Sequence, residues 1–366
     1  MRRFRPTVVE VDLEAIRHNV RTLKPDGVEL MVVLKADGYG HGDAAVARAA
    51  LQAGAGWLGV ALVEEGIGLR DSGLDTPILV LSEFPPGSEK EALEAGLTPS
   101  VYGRDGLRAL ADAAAGRDVG VHVKVDTGMH RVGVWPPDAA AAFCRDVVDA
   151  GLRVEGLWTH FAASESDPDG TREQLARLRR ALDDVRAAGV SPRWTHAANS
   201  AATILYPQAH LDLVRPGAAV YGIDPGEGVG PRAGLRPSLT WRSAVTFVRR
   251  LPAGERLSYG WRYTLERDAN IATIPVGYED GYSRALSSNA DVLIRGRRYR
   301  VAGTITMDQL LVDCGDDEIA PGDDVVLIGE QGGERITAEE LARHLGTIGY
   351  EIVTAISERV PREHVG

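Results

Sequence analysis

The segment Glu29–Ala61, ELMVVLKADGYGHGDAAVARAALQAGAGWLGVA, decides the fold. It opens on a continuous apolar run, passes through Gly38, Gly40 and Gly42, continues as an alanine-rich stretch of helical period and closes on a second apolar run. Strands that are apolar on both faces belong to parallel sheets covered by helices, so the segment reads as a strand–helix–strand unit. Outward from it the same alternation repeats. The candidate strands are Glu29–Lys35, Trp57–Ala61, Pro77–Ser82, Thr98–Tyr102, Gly120–Asp126, Arg153–His160, Arg193–Asn199 and Leu211–Pro216. Between them lie helical stretches such as GLRALADAAAG and TREQLARLRRALDDVRAAG, several closed by a glycine suited to a left-handed stop. Eight strands with intervening helices suggest a (β/α)8 TIM barrel in the α/β class, although a doubly wound open sheet can be drawn from the same pattern.

Beyond about Gly234 the texture changes. RSAVTFVRRL, ANIATIPVG, DVLIRGRRYRVAG, TITMDQLLVDCG and DDVVLIG read as strands separated by Pro, Gly and Asp turns, with one helix at TAEELARHLG. The expected organisation is therefore a barrel over 1–234 and a mostly β domain over 235–366, joined by the Gly/Pro-rich GIDPGEGVGPRAG as a linker or extended loop. The early segment TVVEVDL falls outside the barrel count and is free to pair with the second domain. A length of 366 residues agrees with two domains.

Composition narrows the function. Forty-one Lys and Arg against 52 Asp and Glu leave a net charge of −11, which offers no footprint for nucleic acid or anionic membrane surfaces. Two cysteines, Cys144 and Cys314, do not make a disulfide framework or a zinc site. With no secretion signal and no apolar run of spanning length, the chain reads as cytoplasmic. GAGWLG at Gly54–Gly59 fits a dinucleotide fingerprint in letters only, since it precedes a strand instead of joining strand to helix. No HExxH pair occurs and DPDG at Asp167–Gly170 lacks further calcium ligands, so no metal is indicated. The basic runs ARLRRALDDVR and RGRRYR read as solvated faces.

The chemistry sits at strand ends. Lys35 closes an apolar strand, where a charged amine is costly unless it is deprotonated, paired or covalently modified. A desolvated amine of lowered pKa is what imine formation requires, and a lysine snorkelling to water is the alternative. Lys124 and Asp126 close the fifth strand and lead to Arg131; Trp158 and His160 close the sixth; Asn199 and Ser200 follow the seventh; Arg215 and Gly217 follow the eighth. In barrels the loops after the last two strands are the frequent phosphate site. A lysine and a phosphate site at one mouth suggest pyridoxal 5′-phosphate.

The segments LKADGYGHG, KVDTGMHRVG, EGLWTHFA, HAANSAA, LVRPGAAVYG, LSYGWRYT, GYEDGYSR, ITMDQ and GTIGYEI resemble the alanine racemase family nearly end to end. The resemblance implies that Lys35 is the Schiff-base lysine and one proton-transfer base, and that Tyr259 is the other. It places His160 and Arg215 beside the tyrosine and cofactor, with Arg215 facing the pyridine nitrogen. That nitrogen must then accept, because guanidinium only donates. An ordinary strand-end ion pair is the alternative for Arg215. The implied phosphate contacts are Tyr39, Ser200, Gly217, Ala218 and Tyr350, with Asn199 nearby; position 218 is commonly Ile in the family. Arg131 and the Met307 N–H would hold the substrate carboxylate, and Tyr278 would line the entrance. Lys124 matches a lysine often carbamylated in the family, against the alternative of a plain pair of Lys124 with Asp126 or another carboxylate. The implied assembly is a homodimer with shared active sites, acting on alanine and supplying D-alanine for peptidoglycan. A serine or broad-specificity racemase, a barrel decarboxylase and a pyridoxal-phosphate carrier are the competing functions.

Overall fold

The strand–helix alternation becomes a ring of eight parallel strands. The computed structural model describes residues 4–366. After a first strand, β1 (Val8–Asp12), come the ring strands β2 (Glu29–Val33), β3 (Trp57–Val60), β4 (Ile78–Val80), β5 (Thr98–Val101), β6 (Gly120–Lys124), β7 (Arg153–Trp158), β8 (Trp194–His196) and β9 (Leu213–Val214). Neighbours pair in chain order from β2 to β8, and β9 returns to β2 through Glu29↔Leu213 and Leu30↔Val214. The seam between β8 and β9 is crossed by the N–H groups of Asp212 and Arg215, which donate to the carbonyls of Thr195 and Ala198 at 3.1 and 2.9 Å. A closed ring, not an open doubly wound sheet, is the architecture.

Every strand is shorter than its apolar run suggests, because the polar residues at the run's end leave the ladder to line the mouth. The opposite end is filled by Met31, Trp57, Leu79 and Leu213, with Leu81 and Trp194 packed against them. The unit to which this ring belongs comprises Glu14–Gly38 and Gly42–Arg236. The Gly/Pro-rich joint is part of it and is no free linker. The Asp224 carboxylate accepts the N–H groups of Gly226, Gly228 and Gly230 at 3.3, 2.6 and 2.8 Å, folding the stretch into a turn with a short helix, Val229–Arg232. DPDG likewise is a cap: Asp167 Oδ1 accepts the Gly170 N–H at 2.9 Å at the head of the helix Pro168–Ala187.

The second unit consists of the described residues up to Leu13, Tyr39–His41 and Pro237–Gly366. Its strands are β10 (Leu239–Ala244), β11 (Phe247–Leu251), β12 (Arg256–Leu257), β13 (Tyr263–Thr264), β14 (Ala269–Ile274), β15 (Asp291–Ile294), β16 (Arg297–Val301), β17 (Leu310–Asp313), β18 (Asp324–Gln331), β19 (Glu334–Ile336) and β20 (Arg362–Val365). The main sheet runs β11-β14-β17-β16-β15-β18-β10-β1-β20, with β19 on β18 and β12–β13 as a separate hairpin. RSAVTFVRRL is two strands instead of one. The chain changes partner at Val245 and Thr246, whose N–H groups donate to Asp323 and Thr273, so β10 pairs with β18 while β11 pairs with β14. The stretch TITMD is a loop before β17, and a helix at Gly349–Thr354, too short to show a period, follows the expected one at Ala338–Leu345.

Candidate active site

Lys35 leaves β2 into a turn whose residues Ala36, Asp37, Gly38, Tyr39 and Gly40 all have positive φ, between 53° and 77°. A left-handed turn costs roughly 1–2 kcal/mol for each residue bearing a Cβ, so Ala36, Asp37 and Tyr39 need external support. In the barrel unit Glu65 provides it. Its carboxylate accepts the N–H of Ala36 at 2.7 Å and those of Ala61 and Leu62 at 2.8 and 3.1 Å, tying the turn to the end of β3. Gly38 donates to Leu34 at 2.7 Å, and Asp37 Oδ1 accepts the Asp43 N–H at 3.0 Å. The crowded mouth lowers the Lys35 pKa through lost hydration; Arg131 pushes the same way and Glu65 opposes.

Lys124 ends β6 inside the barrel mouth, only 4% exposed. Its Nζ lies 4.5 Å from the centre of the Trp158 ring. No carboxylate pairs with it among the described residues. Asp126 is turned to its own loop, accepting the N–H groups of Gly128 and His130 at 2.9 and 3.1 Å and facing the His130 ring at 3.6 Å. The plain Lys124–Asp126 pair is thus not formed. Burial first, then Arg131 and Arg215, bring the Lys124 pKa down to about 7.

Arg215, 3% exposed, follows β9 and is held on several sides. Nη2 donates to the carbonyls of Thr159 and Ala197 at 2.8 and 3.2 Å and approaches His160 Nδ1 at 3.5 Å, while Nη1 donates to His196 Nδ1 at 2.8 Å. The guanidinium sits 4.8 Å from the centre of the Trp158 ring. Burial lowers its pKa to about 9, which leaves it cationic at neutral pH, and among the described residues no carboxylate meets it. An ordinary ion pair is therefore not its role. His160 is held neutral by burial and by the cations Arg215, Lys124, Arg131 and Lys35.

Asn199 caps the short helix Ser200–Leu205, its Oδ1 accepting from Ala202 N at 3.0 Å and Ser164 Oγ at 2.7 Å. Ser200 Oγ accepts the N–H groups of Gly217 and Ala219 at 2.9 and 3.2 Å, which leaves its hydroxyl hydrogen to donate elsewhere. Ala218 opens the turn Ala218–Tyr221, so helical geometry gives its N–H no intrahelical partner. Together these are donors suited to an anion.

In the second unit Tyr39 and Tyr350 meet edge to face, ring centres 6.2 Å apart, and burial raises the Tyr39 pKa to about 12, keeping its hydroxyl a donor. Tyr259 is carried at the tip of the β12–β13 hairpin, where Ser258 Oγ donates to the Thr304 carbonyl at 2.6 Å and Thr304 Oγ1 to the Tyr259 carbonyl at 2.8 Å. Its side chain is 74% exposed. Tyr278 and Met307 are adjacent: Tyr278 N donates to Thr306 O at 3.0 Å and Glu279 N to Met307 O at 3.2 Å. Gly277 permits this approach, since a Cβ there would fall 2.3 Å from Met307 O. Among the described residues the Met307 N–H has no partner.

Lys124 and His160 thus each lie within electrostatic reach of Lys35, Arg131 and Arg215, which gathers the five groups at one mouth. Glu65, His122 and His196 were missed from the sequence. The histidines could have been found, since an imidazole within VHVK or WTHAA interrupts an otherwise apolar strand.

Comparison with known proteins agrees with this geometry. Residues 11–225 match the model of the alanine racemase N-terminal domain, and residues 238–364 that of the C-terminal domain. An alanine racemase of Symbiobacterium thermophilum is 50% identical over 99% of this chain and 98% of its own length, and one of Frankia casuarinae 44% identical over 97% and 95%. Among solved structures, the alanine racemase of D-cycloserine-producing Streptomyces lavendulae superposes with a TM-score of 0.95 at 39% identity, covering 100% of this chain and 98% of that one. The Bacillus anthracis alanine racemase with bound L-Ala-P gives 0.94 at 35%, over 100% and 96%. With both domain models matched in order and relatives matched nearly end to end, the chain belongs to the alanine racemase family.

Proposed function

We infer that the chain interconverts L- and D-alanine with pyridoxal 5′-phosphate held at the barrel mouth, as a cytoplasmic enzyme that supplies D-alanine for peptidoglycan. The observation that carries this reading is the amine of Lys35 in one cluster, through Lys124 and His160, with Arg215, a buried cation that no carboxylate neutralises among the described residues. The residues present suit the cofactor. Lys35 offers an amine of lowered pKa for the aldehyde; the Ser200 hydroxyl and the Ala218 N–H offer donors for the phosphate, with Gly217, Tyr39 and Tyr350 as further contacts; Arg215 offers a donor to the pyridine nitrogen.

When bound, pyridoxal phosphate supplies the electron-withdrawing ring that makes the α-proton of the amino acid acidic. Lys35 Nζ takes or returns that proton on one face and Tyr259 Oη on the other, so handedness is lost between them. Arg215 donates without surrendering a proton, which limits how far the pyridine nitrogen stabilises negative charge and so favours rapid proton return. Arg215 provides the positive charge that a tyrosine base requires, with the neutral His160 ring beside it. Arg131 and the Met307 N–H hold the substrate carboxylate, and Tyr278 lines the entrance. Lys124, buried and not ion-paired, takes up carbon dioxide with loss of one proton, and the resulting carbamate faces Arg131. Asn199 acts through the cap it makes.

Tyr259 at 74% exposure, Trp261 at 61% and Met307 at 49% are too open for catalytic work in one protomer. A homodimer supplies their cover, with the partner subunit's Tyr259 facing Lys35. Borohydride reduction followed by peptide mapping tests the cofactor assignment: the adduct is expected on Lys35, and an adduct elsewhere overturns it. Tyr259→Phe should keep the lysine–cofactor absorption and lose about 10²–10⁴-fold in racemisation while α-hydrogen exchange survives for one enantiomer only.

A further inference from the structure

Beneath Arg215 the barrel interior holds two histidines at β-strand positions where side chains are otherwise apolar. His122 of β6 and His196 of β8 are both fully buried, and His122 Nδ1 lies 2.8 Å from His196 Nε2. His196 Nδ1 receives Arg215 Nη1 at 2.8 Å. We propose that Arg215, His196 and His122 form a one-way hydrogen-bond relay in which His122 selects the tautomer of His196, and His196 thereby sets the orientation of Arg215, making both histidines positioning residues for the reaction.

The direction follows from valence. Guanidinium has no acceptor, so His196 Nδ1 must accept. A neutral imidazole carries one proton, which on His196 is then at Nε2, and that proton is donated to His122 Nδ1. His122 consequently holds its own proton at Nε2, an atom that is buried without a partner among the described residues. Neutrality of both rings has independent physical support in burial and in the adjacent Arg215 charge, which lower both pKa values, that of His122 to about 3. The other His196 tautomer would set a donor against a guanidinium donor. Without an acceptor at His122, the His196 Nε2–H is left unsatisfied in the barrel interior and the guanidinium alone opposes that state.

The fold makes room for this arrangement. The β6–β7 ladder shifts register between Val121 and His122, which pair with Val154 and Gly156 so that Glu155 is skipped. A Cβ at position 156 would fall 2.4 Å from His122 Nδ1. Trp158 lies parallel to the His196 ring, at 5.5 Å and 9°, while also facing the Arg215 guanidinium. Arg215 uses Nη1 and Nη2 in these contacts, and its Nε–H has no partner among the described residues, which leaves that edge for a ligand.

The relay's effect on turnover rests on Arg215 facing the cofactor, whereas its tautomers do not, so the two can fail separately. Long-range ¹H–¹⁵N spectra of histidine-labelled protein, with and without pyridoxal phosphate, are expected to show two neutral Nε2–H rings from pH 6 to 9. An Nδ1–H tautomer or an imidazolium at either residue overturns the relay. His122→Asn, whose Oδ1 can replace Nδ1 as acceptor, is expected to keep kcat within about twofold, whereas His122→Leu lowers kcat about tenfold with the KM for alanine little changed. Gly156→Ala, which leaves both rings in the chain, should behave like His122→Leu. Equal loss in the Asn and Leu variants, or no loss in either, removes the positioning role even if the tautomers are as stated. Should borohydride mapping fail at Lys35 while the tautomers stand, the fault lies with the cofactor reading and not with the relay.

Discussion

The barrel mouth and the β12–β13 hairpin carry the two proposed bases under opposite conditions. Lys35 stands near Lys124 and Arg131, on a left-handed turn clamped by Glu65, with its pKa lowered first by burial and then by Arg131. Tyr259 projects from a two-residue-per-strand hairpin and is 74% exposed, with few groups of its own chain around the hydroxyl. One base is tuned by its own chain, and the other is only presented by it. The contrast teaches that the activating charge for the tyrosine has to come from elsewhere, and in a shared site it comes from the partner subunit.

The largest expected effect breaks the Lys35 side of the comparison. Lys35→Ala removes both the tether for the cofactor and one base, and a loss of about 10⁴-fold or more in kcat is expected, with no recovery in the opposite reaction direction. The comparison is sharpened by mixing two defective chains. In a heterodimer of Lys35→Ala and Tyr259→Phe protomers, one site carries both defects and the other carries neither if the sites are shared. Unfolding the two variants together and refolding them should therefore restore about a quarter of wild-type activity under random pairing. No recovery in heterodimers confirmed by mass would place both bases on one chain.

Substitution of Lys124 acts next in size, through substrate binding. Lys124→Ala removes the anion expected opposite Arg131, so the KM for alanine should rise about 10- to 100-fold with a smaller change in kcat, the scale of one charge-assisted hydrogen bond. Added short carboxylates should recover part of the loss. A variant of unchanged KM would mean that Arg131 is oriented without Lys124.

Those residues differ in how legible they were. The barrel was readable because parallel strands are apolar on both faces, so Lys35, Lys124, His160 and Arg215 stand out as polar groups ending apolar runs. The left-handed turn was not. Gly38 and Gly40 announce positive φ, but Ala36, Asp37 and Tyr39 do not, and their conformation depends on Glu65, roughly thirty residues away and marked by nothing but its charge. The His122–His196 contact spans 74 positions and exists only because the ring closes. The break between β10 and β11 was hidden for a similar reason: both halves are apolar, and only the partner strands differ. The exposure of Tyr259 is a property of the folded surface, on which a tyrosine after RLS is silent.

The smallest effect concerns stability, and it distinguishes the polar barrel interior from the hairpin once more. His122, His160 and His196 are held neutral in the native protein, with pKa values far below the usual 6.5, whereas in the unfolded chain each takes up a proton near that value. Below about pH 6.5 the unfolded state therefore binds more protons than the native state, and stability falls as pH falls, by at most about 1.4 kcal/mol per pH unit for each histidine until its native pKa is reached. Thermal midpoints should drop more steeply between pH 6.5 and 5 than between pH 8 and 7, where the lowered pKa values of Lys35 and Lys124 act instead. His122→Asn removes one of these groups while keeping its acceptor, so its midpoint should fall less steeply over the same range, whereas Tyr259→Phe should follow the wild-type slope. Parallel slopes for His122→Asn and wild type would mean that His122 is protonated in the native barrel, and with it the order of donors beneath Arg215 would have to be reversed.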